Sequence, residues 1–199
     1  LWTHARRMYY GGHLRGNSAA YWQSDPLNNH RWHRNAGLAL CVLAAYNGDE
    51  DQKWLLGELK DELSFIANWL PADGTSHESP SYLVFGLPHL MLAMQASDRC
   101  MGTRYLDLPF FFNMGSFRLQ TTTPGQYDAV YYGDSTGLGL YNNAFYLAAS
   151  HHRQSRIMDG LNTLRSINRD NFDFDWMSLI WRDPEVETKE FEELPLSTH

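Results

Sequence analysis

Apolar side chains recur every three or four residues along most of this chain, the spacing that keeps them on one face of a helix, and little of it alternates as a half-buried strand would. The segment near 34–46 (RNAGLALCVLAAY) is rich in Ala and Leu and is stopped by Asn47-Gly48-Asp49. Over 51–70, Trp54, Leu55, Leu59, Leu63, Ile66 and Leu70 predict an amphipathic helix, ended by Pro71 and the Asp73-Gly74 pair. Pro80, Tyr82, Phe85, Leu90 and Met94 predict a third helix over 80–96, with Pro88 expected to kink it. A fourth covers 104–119, its boundaries blurred by Pro109 and the Phe110-Phe111-Phe112 run. After a loop from Thr121 to Gly125, helices are expected near 136–150, 154–168 and 172–181.

Short breaks between consecutive helices favour antiparallel neighbours, so the expected fold is all-α, built from three to four αα-hairpins. No fixed repeat period of the TPR or HEAT kind is present. Unusual polar residues gather in certain loops, which favours an arc or closed ring of hairpins over a four-helix bundle.

Composition narrows the classes. With 199 residues, 43% hydrophobic and 14% aromatic, the chain has material for a sizeable core and is not disordered. Sixteen Lys+Arg against 23 Asp+Glu leave a net charge of −7, and the basic residues form no stripe, which argues against nucleic acid as a partner. Uninterrupted apolar stretches fall short of a membrane span of about 20 residues. Cys41 and Cys100 make neither a disulfide framework nor a zinc-type CxxC, and Cys41 reads as a buried thiol in a helical run. The sequence begins Leu1-Trp2-Thr3, so a signal peptide would lie upstream, and it stops in the loop-like Leu194-Pro195-Leu196-Ser197-Thr198-His199.

Three loop-to-helix junctions concentrate polar groups. In Asp25-Pro26-Leu27-Asn28-Asn29-His30-Arg31-Trp32-His33-Arg34-Asn35, Asn28 or Asn29 is a good N-cap. His30 then falls in a first turn, where the helix dipole disfavours imidazolium and leaves a neutral base; a capping Asn beside a solvent-facing His is the plainer reading. In Asp73-Gly74-Thr75-Ser76-His77-Glu78-Ser79-Pro80-Ser81-Tyr82, Ser79 is the expected N-cap and Pro80 the first helical residue. Tyr82 comes next in the first turn, where nearby cations would favour its phenolate; ordinary core packing is its plainer reading. In Tyr131-Tyr132-Gly133-Asp134-Ser135, Asp134 or Ser135 is expected to cap the helix near 136–150, and the Asp134 carboxylate can also bind sugar hydroxyls or hold a cation.

His30 and His33, three apart, raise a metal site. Zinc catalysis would want a third ligand and, in HExxH, an intervening Glu; here Arg31 and Trp32 intervene and Arg34 comes after, so metal binding is not expected. Neither a GxSxG elbow nor a GxxxxGK loop is present.

Asn29-His30, with Asp73-Gly74…Glu78…Tyr82 later at the start of an apolar helix, resembles the heparinase II/III-like polysaccharide lyases, a group with alginate and oligoalginate lyases. Tyr132-Gly133-Asp134-Ser135 and the closing Trp181…Leu194-Pro195-Leu196-Ser197 are similar to later parts of that family's helical domain, so the resemblance runs from about residue 17 to the end. It implies an (α/α) toroid leading into a β-sandwich, with 1–182 as a toroid fragment and 183–199 as a linker toward the sandwich. It also implies cleavage of uronic-acid polysaccharides by β-elimination. Asn29 would neutralise the substrate carboxylate, and His30 and Tyr82 would be the base and acid pair. His33 and Glu78 match weaker positions, His33 to hold substrate and Glu78 in a role closer to structure. Relatives often draw a further His from the β-sandwich, so the isolated segment is expected to be impaired. No cofactor is implied in this segment; a structural metal would belong to the sandwich. The implied partners are an acidic polysaccharide or oligosaccharide and the sandwich domain, without nucleic acid or membrane, and the implied location is periplasmic or extracellular.

Three rival readings stand beside the lyase. Glu78 and Asp134 can be the carboxylate pair of an (α/α)-barrel glycoside hydrolase; the lyase residues can serve a uronyl C5-epimerase; or the chain binds carbohydrate without catalysis. Trp22, Trp32, Tyr131 and Tyr132 lie near the junctions and can stack on sugars, though core packing is the default for each. Arg31 and Arg34 are the cations that would have to attract a polyanion against the net negative charge.

Overall fold

A computed structural model describes residues 1–13, 25–123, 130–135, 143–167 and 176–188, the side chains of 10–13 and 167 excepted. Of the described residues 72% are helical and none forms a strand, so the chain is all-α. The helices are α1 (Trp2–His13), α2 (Asn29–Ala44), α3 (Glu50–Trp69), α4 (Pro80–Met101), α5 (Pro109–Gln120), α6 (Asn143–His151), α7 (Ser155–Ile167) and α8 (Trp176–Trp181), with a 3-10 turn at Tyr105–Asp107. They divide into two units: Leu1–Leu70 with His89–Tyr105, and Pro71–Pro88 with Leu106–His199. α4 runs through Pro88, and the division falls just after that residue.

In the first unit α2 and α3 pack on one another, and α1 packs on α2. α3 is the helix that the spacing predicts: Leu55, Leu59, Leu63 and Ile66 are essentially inaccessible. Trp54, part of the same apolar pattern, is half exposed and meets Tyr9 edge-on with ring centroids 5.7 Å apart. The α2–α3 loop is tied by Gln52, whose side chain accepts from the Asn47 amide and donates to the Ala45 carbonyl. α1 was not among the predicted helices. Its buried Ala5 and Tyr9, four apart, were the available signal, and the Tyr9 hydroxyl donates to Glu58 Oε2 at 2.7 Å. Burial, then the Glu58 carboxylate, push that phenol well above its ordinary range.

In the second unit α6 is the central helix, buried from Asn143 to Ala149 and packed on α5, α7 and α8. α5 and α7 approach closely because glycines face side chains: a Cβ on Gly160 would lie 2.6 Å from Leu119 Cδ1, and one on Gly115 would lie 2.6 Å from Ile157 Cγ2. The predicted 104–119 helix is instead two elements, the 3-10 turn and α5, since Pro109 starts a helix rather than continuing one. α2 starts at Asn29, as the Asn28 cap predicts and ahead of the apolar run from 34, and α4 ends later than expected. The helices expected near 136–150 and 172–181 are described from Asn143 and Trp176, and their beginnings lie outside the described residues.

Gly74 anchors the turn before α4. It adopts φ +79°, and a Cβ there would lie 2.5 Å from the Asn113 carbonyl carbon and still nearer the Met114 backbone. Neither neighbour can rotate away. Gly74→Ala is therefore expected to lower stability by about 2–4 kcal/mol, measured by urea unfolding. Gly57→Ala, inside α3 with open space around it, is expected to raise stability by about 0.5–1 kcal/mol. Equal effects at the two positions would contradict the packing described for Gly74.

Candidate functional site

The first candidate cluster lies in the first unit, at the start of α2. Asn28 is the N-cap: its backbone is extended (φ −73°, ψ 130°) and its side-chain oxygen accepts from the His30 amide at 3.0 Å. Helical periodicity then sorts the residues of the first two turns. Asn29, Trp32, Asn35 and Ala36 turn inward and are buried, while His30 turns out to solvent. Trp32 donates its indole N–H to the Pro26 carbonyl at 2.9 Å, which makes it a core residue and removes it from any sugar-stacking surface.

Arg31 is placed differently from an open cation. It is buried, its Nη2 lies 2.6 Å from Glu62 Oε2, and its guanidinium sits 4.8 Å above the Phe65 ring. Asn35 Nδ2 donates to the same Glu62 oxygen at 2.9 Å. Glu62 thus answers the charge that would have drawn a polyanion, and it had no place among the predicted site residues. Arg34 is half-buried, with its guanidinium 5.9 Å from the Tyr9 ring centroid. Desolvation lowers its pKa, and the field of Glu62 opposes the shift.

His33 Nδ1 lies 2.8 Å from the Asn29 carbonyl oxygen, one turn back on α2. A carbonyl only accepts, so the bond puts the proton on Nδ1. The His33 ring also meets His89 of α4, with centroids 4.6 Å apart and planes tilted by 55°. His89 was missed: it lies 56 positions from His33, and no local spacing links the two.

The second cluster lies in the second unit, at the start of α4. Ser79 Oγ accepts from the Tyr82 amide at 3.2 Å and its carbonyl accepts from the Leu83 amide at 2.9 Å, with Pro80 as first helical residue. Ahead of it, Asp73 Oδ1 accepts from the Thr75 amide and hydroxyl, closing the turn around Gly74. The segment 131–135 lies against this helix start. The Tyr132 hydroxyl donates to the Ser76 carbonyl at 3.1 Å, and the Ser79 hydroxyl to the Asp134 carbonyl at 3.5 Å. Gly133, at φ +59°, comes so close to the Glu78 carbonyl that a Cβ would lie 2.9 Å from it.

The group that meets the Tyr82 hydroxyl is a carboxylate: the phenol donates to Asp134 Oδ2 at 3.3 Å. The expected capping role of Asp134 concerns residues from 136 onward, which lie outside the description up to Asn143. Ser135 closes a tight turn, its hydroxyl donating to the Tyr132 carbonyl at 2.9 Å. Beside this segment Arg118 of α5 is buried; desolvation pulls its pKa down to about 10, and the fields of Tyr131 and Tyr132 oppose the shift. Burial likewise raises the Tyr132 phenol.

Asn29, His30, His33 and His89 are therefore gathered in one unit, and Tyr82, Asp134, Tyr132 and the Glu78 backbone in the other. Trp22 lies outside the described residues. Among the described residues no group of three His, Cys, Asp or Glu could hold a metal ion, and no helix is long and apolar enough to cross a membrane.

Glu62→Ala would leave Arg31 as a buried, uncompensated charge and take the acceptor from Asn35. Stability is expected to fall by on the order of 3 kcal/mol, with a smaller loss for Glu62→Gln, both measured by urea unfolding. A neutral Glu62→Ala would show that the pair is solvated and weak. No family model matches the chain, and no curated protein or solved structure matches it either.

Proposed function

We propose that this chain cleaves a uronic-acid polysaccharide by β-elimination, its helices forming part of an (α/α) toroid. The observation that carries the reading is the pair of capped helix starts. Asn28 and Ser79 set His30 and Tyr82 in first turns with their side chains reachable from solvent, while Asn29, Ser79 and Ser81 beside them are buried.

In the elimination a base removes the C5 proton, a double bond forms between C4 and C5, the C4–O4 bond breaks, and O4 takes up a proton. The C5 proton is only weakly acidic because the neighbouring carboxylate is already an anion, so the charge that develops there needs fixed donors. Asn29 would supply them at the positive end of the α2 dipole. That task falls on Asn29 because Arg31 is already answered by Glu62. His30 and Tyr82 would be the acid–base pair, and His33, held to the Asn29 carbonyl, would steady the turn that carries Asn29 and His30. By the same resemblance such an enzyme works in the periplasm or outside the cell.

The test is a screen of the full chain on alginate, glycosaminoglycans, ulvan and bacterial exopolysaccharide, read by the near-ultraviolet absorbance of the unsaturated product. New reducing ends without that absorbance would identify a hydrolase and sink the proposal. Solvent deuterium at C5 in an intact polymer would identify an epimerase instead. In an active chain His30→Ala and Tyr82→Phe are each expected to lower turnover by about 10²- to 10⁴-fold with helix content unchanged by circular dichroism. Asn29→Ala is expected to lower kcat more than it raises KM; a raised KM at unchanged kcat would place Asn29 in plain binding.

A further inference from the structure

We propose that Asp134 acts through Tyr82, as a positioning residue whose carboxylate holds the phenol in its protonated form and orients its hydroxyl, rather than as a ligand for sugar hydroxyls. The inference rests on the proposed elimination and takes Tyr82, within the acid–base pair, as the proton donor to the leaving oxygen.

Contacts other than that of the Asp134 side chain also fasten the segment 131–135 to the start of α4. The Tyr132 hydroxyl reaches the Ser76 carbonyl, the Ser79 hydroxyl reaches the backbone carbonyl of Asp134, and Gly133 permits close approach to the Glu78 carbonyl. With the backbone of Asp134 held in this way, its carboxylate is set where Oδ2 lies 3.3 Å from the Tyr82 hydroxyl. Hydrogen bonds in such sites are often long without substrate and tighten when it binds.

A carboxylate at that place has two effects on the phenol. A phenol O–H turns about its C–O bond, and a charged acceptor selects one orientation. A phenolate facing a carboxylate is repelled, so the pair favours phenol over phenolate. During elimination the O–H turns from Asp134 to O4 and gives up its proton. The resulting phenolate then stands beside an anion and regains a proton from water. Asp134 takes no proton at any step; it keeps the donor loaded.

The test needs no substrate. N-Acetylimidazole transfers its acetyl group to a phenolic oxygen with release of imidazole, and the phenolate is the form that attacks. The full chain is treated briefly and the rate of acetylation at each tyrosine is read by peptide mass mapping, with Tyr132, whose hydroxyl is held by the Ser76 carbonyl, as the internal reference. In Asp134→Asn, Tyr82 is expected to react about three- to tenfold faster with Tyr132 unchanged, and Asp134→Glu is expected to restore part of the protection. An unchanged or slower rate at Tyr82 would overturn the proposal. So would a joint rise at Tyr82 and Tyr132, because the carboxylate would then only be holding the segment down. A chain that cleaves no uronate polymer would count against the lyase reading alone and leave the acetylation result standing.

Discussion

The first amide groups of a helix have no partner within it, and a helix that starts beside packed chain must find partners outside itself. Asn28 and Ser79 meet that requirement at α2 and α4, each by accepting from an amide in the first turn. Beyond each cap, burial sorts the side chains of the first turn into inward and outward ones. With the His30 amide on Asn28, the apolar and amide side chains of α2 face inward and the His30 imidazole faces water. With the Tyr82 amide on Ser79, the Tyr82 ring is presented to the segment 131–135.

Burial of charge sets the second constraint. Arg31 and Arg118 are both removed from water, and the protein meets the cost by surroundings rather than by exposure. Arg31 has Glu62 at 2.6 Å and the face of Phe65. Arg118 feels the two tyrosines at 131 and 132, which oppose only part of its desolvation. In this way the most basic stretch of the sequence, 30–34, offers solvent less positive charge than its composition suggests. The group that this stretch turns to water is the His30 imidazole.

Much of the local structure was legible along the chain. The 3.6-residue period located α3 almost to the residue, and Ser79-Pro80 and Asn28 announced their helix starts, because capping is chemistry between near neighbours. The failures have physical causes too. α1 carries few apolar residues and two adjacent glycines, so its pattern was thin; Ala5 and Tyr9 are buried only because α2 and α3 are there to cover them. Pro109 read as a disturbance within one helix, whereas the structure uses it to begin α5 after a 3-10 turn.

The candidate residues divide along the same line. Sequence by itself determined an all-α chain, the start signals of two helices, and the presence of His30 and Tyr82 in their first turns, since each depends on contacts within about four residues. Only the tertiary structure decided what those side chains and their neighbours meet: Glu62 on Arg31, His89 on His33, Pro26 on the Trp32 indole, and Asp134 on the Tyr82 phenol. Apart from the Pro26 contact, these pairs are separated by 31 to 56 positions, a distance across which propensity and periodicity carry no information. Charge and hydrogen-bond partners across such gaps are decided by how the helices pack.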